Sequence, residues 1–87
     1  MNNKVLVKVI VPYFEKSFDM YLPVNELVWK NVKLLTKSIF DFENIAFNYD
    51  DSYYLVNSDT GIVYDNNVVL YDTDIRNGSE LVLIKNH

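Results

Sequence analysis

The sequence predicts an α+β fold in which one helix crosses a mixed sheet of four to five strands. Three observations carry this. A β-branched run at the start, Val5 to Val11, is followed after a turn by an alternating run. The hydrophobic period then switches once, to a helical spacing. A short strand, apolar on both faces, appears near the end, at Leu81 to Ile84. The 87 residues suffice for one small domain, which buries roughly 60–65% of its unfolded surface. The apolar fraction of 49% and the aromatic fraction of 15% supply a core and exclude a disordered chain.

Val5-Leu6-Val7-Lys8-Val9-Ile10-Val11 is a strand by its β-branched content, and Pro12 ends it. Period two puts Val5, Val7 and Val9 on one face and Leu6, Lys8 and Ile10 on the other. Residues 12–16 make a turn. Ser17 to Leu22 alternates again, with Phe18, Met20 and Leu22 inward and Asp19 and Tyr21 outward. The two runs are expected to form an antiparallel hairpin.

Asn25 is the expected N-cap of the helix, with Glu26 in its first turn. Val28, Val32, Leu35 and Ile39 recur at helical spacing, and Leu27, Trp29 and Leu34 are expected to widen that stripe. The helix is predicted over 26–38. Residues 41–52 are predicted to be an acidic loop with a short extra strand, because Ile45, Phe47 and Tyr49 alternate there. Tyr53 to Asn57 is a strand, with Leu55 inward and Tyr54 and Val56 outward. Ile62-Val63-Tyr64 is a further short strand between two turns. Asp72-Thr73-Asp74 turns, Ile75 anchors that turn, and Asn77-Gly78 launches the last strand, with Leu81 and Leu83 inward and Val82 and Ile84 outward.

The predicted order is therefore β-β-α-β-β-β. The first and last strands are apolar on both faces, which suits a central parallel pair flanked by antiparallel partners. This is a β-grasp arrangement.

The chain resembles ubiquitin over nearly its whole length. Leu70, the polar turn 71–74, Ile75 and the alternating last strand carry the resemblance, with Asn31-Val32-Lys33 in the helix. It is more similar still to the YukD-like family, small bacterial ubiquitin-like proteins of type VII (ESX-like) secretion loci. Leu22-Pro23-Val24, Leu27-Val28 and Asp74-Ile75-Arg76-Asn77-Gly78-Ser79-Glu80-Leu81 match that pattern. The resemblance implies a single ubiquitin-like domain over residues 1–87 and a cytoplasmic accessory or regulator of secretion. It implies protein partners such as the secretion ATPase or membrane components. Ubiquitin's conjugated relatives and the sulfur carriers end in Gly-Gly. No glycine follows Gly78 here, so conjugation is not expected. A modifier or sulfur carrier activated at a processed C-terminus is the alternative function.

Charge narrows the partners. Residues 1–40 balance at +3, six Lys against three acids, and residues 41–87 at −7, with Arg76 and Lys85 against nine acids. A chain of net charge −4 is not expected to bind nucleic acid, which requires clustered cations. Lys30, Lys33 and Lys37 share one helix face, expected to be a solvated surface, with docking of an acidic partner as its functional alternative. No run reaches the ~18 apolar residues of a membrane helix, so no membrane insertion is expected. The seven-residue run from Val5 carries Lys8 and lacks a small-residue cleavage site, unlike a signal peptide. The absence of Cys suits a reducing compartment.

No catalytic, cofactor or metal site is expected. A Ca²⁺ loop opening at Asp72 would need a ligand where Arg76 stands, Gly at Asn77 and Glu at Leu83. Turn chemistry accounts for these Asp residues. His87, the single His, has no second His or Cys to work with. The constellation that stands out is apolar. Leu6, Ile10, Tyr54, Val56, Val82 and Ile84 should project together from the sheet face opposite the helix, the face ubiquitin uses for most partners. Such a patch marks an interface, or else residues 41–52 or a second copy of the chain (a homodimer) cover it. Tyr54 is the expected hot spot.

Overall fold

The computed structural model describes residues 3–86; the expectations for Met1, Asn2 and His87 lie outside the described residues. Four strands form one sheet among these residues: β1 (Lys4–Val11), β2 (Lys16–Pro23), β3 (Ser52–Asn57) and β4 (Glu80–Asn86). One helix, α1 (Val28–Phe42), crosses it, and short 3-10 turns occupy Pro12–Phe14 and Leu70–Asp72. The sheet order is β2-β1-β4-β3. β1 and β4 are the parallel central pair, and β2 and β3 flank them antiparallel.

Alternation along each strand makes the core. Val5, Val7, Val9 and Val11 of β1, Leu55 of β3 and Leu81 and Leu83 of β4 are buried beneath α1. They meet Val28, Val32, Leu35 and Ile39 of the helix, with Leu70 and Ile75 filling one side. At about 25 cal/mol per Å² of apolar area, this burial is what holds so small a domain together.

The helix begins and ends later than the spacing predicts. Asn25 is not the cap: Leu27 holds that position, extended and without a side-chain hydrogen bond. The free N–H groups of the first turn find partners in a neighbouring loop instead. Val28 N–H donates to the Val68 carbonyl at 2.8 Å and Trp29 N–H to that of Asn66 at 3.2 Å. A tertiary loop thus does what a capping side chain does elsewhere. The C-terminal end passes Ser38 because Ile39 and Phe40 are both buried. It closes on Asn44, at φ 62°. Ile45 N–H reaches the Phe40 carbonyl and Asn44 N–H that of Asp41, a Schellman closure.

Trp29 and Leu34 do not widen the buried stripe; they are 42% and 48% exposed. They lie on the flanks of the solvent face, and the core face needs only its four-residue stripe and the C-terminal turn.

The expected extra strand within residues 41–52 is not formed. An Asx turn, in which Asp50 N–H donates to Asn48 Oδ1, bends the chain there. Phe47 leaves the alternation to pack edge-on against Phe40, ring centres 5.1 Å apart. The expected strand at Ile62–Tyr64 shrinks to one bridge, Val56 to Val63. Asn57 Oδ1 accepts from the N–H of Asp59 and of Thr60 and tightens that turn, and Gly61 takes the positive φ of 74° it requires. The chain turns away again at Asp65, whose side chain accepts the Asn67 N–H.

Candidate interaction surface

The strand register lays out the face opposite the helix as rows. The first pairs Tyr21 with Leu6. The second runs Asp19, Lys8, Glu80, and all three side chains are exposed. The third runs Ser17, Ile10, Val82, Val56 and reaches Val63 through the bridge. The fourth pairs Ile84 with Tyr54.

Five of the six residues singled out in the sequence therefore lie together, in the third and fourth rows. Leu6 does not join them. The Asp19-Lys8-Glu80 row separates it from Ile10, although at 39% it is the most exposed of the six. Ile10, Tyr54, Val82 and Ile84 are half-buried. Val56 is only 8% exposed and lies outside the core cluster, flanked by Val82 on one side and by the Val63 bridge on the other. It forms the floor of the patch, and the four half-buried side chains are its contact surface. The sequence missed this shielding because the spacing of Ile62-Val63-Tyr64 does not say that Val63 pairs with Val56.

Residues 41–52 do not lie on this patch. Phe47 packs edge-on against Phe40 and tilted against Tyr53 on the helix side of the sheet, and Lys16 Nζ binds Glu43 at 2.9 Å to hold the loop's start to β2. An aromatic group, Tyr13, Phe14, Phe40, Phe47 and Tyr53, fills this end of the molecule. Burial pushes the Tyr53 hydroxyl above its ordinary range, with the Asp51 charge adding to it.

At the other end of β3 a polar network fastens the patch's edge. The Tyr64 hydroxyl donates to Asp74 Oδ1 at 2.7 Å, and Asn57 Nδ2 donates to the Tyr64 oxygen at 3.1 Å. Burial, then the hydrogen bond to Asp74, pushes the Tyr64 hydroxyl up to about 12. Across the central pair, Asn77 Oδ1 accepts the Leu6 N–H at 2.8 Å and Gly78, at φ 89°, donates to the Leu6 carbonyl. The side chain of Asn77 continues the parallel pairing past the end of β4.

A second concavity lies on the helix side. Trp29, Val32 and Lys33 of α1, with Phe47, Tyr49 and Tyr53, line a cleft of about 280 Å³. It was not visible in the sequence, because Phe47 and Tyr49 reach it from the loop predicted to carry a short extra strand.

The geometry now allows comparison with solved structures. The ubiquitin-like domain of EccD5 from Mycobacterium xenopi superposes with a TM-score of 0.76 at 14% identity, covering 98% of this chain and 97% of that one. The fold is ubiquitin-like. A chain of the MycP5-free ESX-5 inner membrane complex gives a TM-score of 0.75 at 19% identity and covers 98% of this chain. This chain spans only 21% of that neighbour's length. An N-terminal ubiquitin-like domain solved in solution gives 0.75 at 20% identity, covering 100% of this chain and 79% of the other. No protein-family model and no curated protein matches the sequence. Among the described residues of this ubiquitin-like chain, no helix is long and apolar enough to cross a membrane.

Proposed function

We propose that the chain is a non-catalytic ubiquitin-like interaction module of a type VII (ESX-like) secretion system, YukD-like in kind and acting on the cytoplasmic side. The observation that carries this reading is the domain-for-domain likeness to the EccD5 ubiquitin-like domain, which covers almost all of both chains. The partner is the secretion ATPase or a membrane component of the same assembly. It docks on the sheet face opposite the helix, with the half-buried Tyr54 and Ile84 as the anchors and Ile10 and Val82 beside them. Tyr54, an amphipathic aromatic on a firm sheet, is of the residue type that interface hot spots favour.

Co-purification of the protein with the cytoplasmic region of an ESX-type secretion ATPase, and separately with the cytoplasmic domains of its membrane components, tests the reading. One of these baits should retain the wild type, and Ile84→Asp and Tyr54→Ala should each abolish retention with an unchanged circular dichroism spectrum. Retention of both folded variants would overturn the assigned face. Retention by neither bait would overturn the assigned system.

A further inference from the structure

The solvent face of α1 carries a basic stripe, and it adjoins the apolar cleft. Lys30, Lys33 and Lys37 are exposed and follow one another three and four residues apart, over about 10 Å of helix. Lys30 lies 3.8 Å from Glu26 and over the Trp29 ring. Lys33 and Lys37 have no ion-pair partner among the described residues. Exposed Asp41 closes the stripe at the C-terminal end. Trp29 and Lys33 belong both to this stripe and to the cleft. The carboxylate at the cleft, Asp51, is already engaged by Lys85 at 3.5 Å.

We propose that this face docks an acidic segment of a partner protein, which places one bulky apolar side chain in the cleft and its carboxylates along the lysines. Charge complementarity selects the acidic partner, in a molecule whose other half carries the excess of acids. The cleft selects a protein. At about 280 Å³, and lined by Trp29, Val32, Phe47 and Tyr53, it has room for one bulky apolar side chain. Three lysines on a chain of net charge −4 hold too little positive charge for a nucleic-acid footprint or for an anionic membrane, which calls for clusters of ~4–8. The inference stands apart from the sheet-face reading: it concerns another surface, and either can fail alone.

A fluorescently labelled synthetic peptide, with a central Leu flanked by Glu and Asp on both sides, tests it by fluorescence anisotropy against the intact protein. The peptide should bind, and binding should weaken as salt rises. Lys33→Glu combined with Lys37→Glu should weaken it roughly tenfold or more, while Lys8→Glu, which makes a charge reversal on the opposite face of the sheet, should leave it nearly unchanged. Replacing the peptide's Leu by Gly should weaken it comparably. Failure of the peptide to bind would overturn the proposal. So would equal losses from Lys8→Glu and from the helix pair, or binding indifferent to the central Leu, since either reduces the effect to general attraction. Tighter binding to anionic vesicles or duplex DNA than to the peptide would also overturn it.

Discussion

On β4, Leu81 and Leu83 are buried beneath α1, whereas Val82 and Ile84, each one residue further on, stay half-exposed on the other side of the sheet. The same contrast holds on β1, between Val9 and Ile10, and on β3, between Leu55 and Tyr54. Both sides of these pairs carry branched aliphatics, with Tyr54 the aromatic among them. What differs is cover. One face has a helix lying on it, and the other, among the described residues, has a charged row and a one-residue bridge at its edge. Stability therefore resides on the first face, and the second keeps apolar surface available at small structural cost. That is the arrangement a small docking domain needs.

The largest test of this contrast removes the same kind of atoms from each face. Leu81→Ala should cost about 2–5 kcal/mol in urea unfolding, since the site is enclosed and leaves a cavity. Val82→Ala, its immediate neighbour, should cost about 1 kcal/mol or less. Equal costs would erase the distinction between the faces.

Next in size is Asn31, buried entirely at the start of α1. Its Nδ2 donates to the carbonyls of Pro23 and Leu27, each at 3.2 Å, and so joins the end of β2 to the helix under the covered face. Asn31→Ala takes the side-chain donor from the Pro23 carbonyl, while that of Leu27 keeps the backbone N–H of residue 31, for about 1–3 kcal/mol, a fall of several degrees in Tm. An unchanged Tm would remove Asn31 from the covered side's framework.

Tyr64→Phe acts at the rim of the open face and should cost about 1 kcal/mol by loss of the bond to Asp74. It also has a signature in pH. The folded-state value of the Tyr64 hydroxyl, about 12, lies above the ordinary value of 10.0. The stability it contributes is fully present below pH 10 and is lost as pH rises toward 12. Wild type should lose stability more steeply than Tyr64→Phe in that window. Parallel curves would show that the network does not fasten the rim.

The smallest effect belongs to Glu43→Gln, which removes the charge from the pair with Lys16, where the lysine end is half exposed and the glutamate side chain is largely covered. About 0.2–1 kcal/mol is expected, shrinking with added salt. A larger, salt-independent loss would make the loop after α1 part of the core.

The sequence carried the fold because the fold's determinants are periodic. Val5 to Val11, the stripe Val28-Val32-Leu35-Ile39 and the alternation of Leu81 to Ile84 each repeat at the spacing of the element they form. What it concealed is aperiodic. The α1 N-terminus is satisfied by the 66–68 loop, not by Asn25, and only tertiary structure brings that loop near. The alternation Ile45-Phe47-Tyr49 mimics a strand, but ring packing onto Phe40 decides its conformation. The candidate surface was half readable: strand parity put all six residues on the face opposite the helix, while the separation of Leu6 and the shielding of Val56 depend on register and on one bridge. Asn77-Gly78 was readable as a turn, but the bond from Leu6 to the Asn77 side chain was not.

The most direct test of the open face as the docking surface is a chemical-shift titration of the isotope-labelled protein with the purified component that retains it. Shifts should gather on the amides of Ile10, Tyr54, Val82 and Ile84, with Val5, Val7 and Leu35 beneath the helix barely moving. Shifts confined to α1, or none on the open face at saturation, would contradict the account.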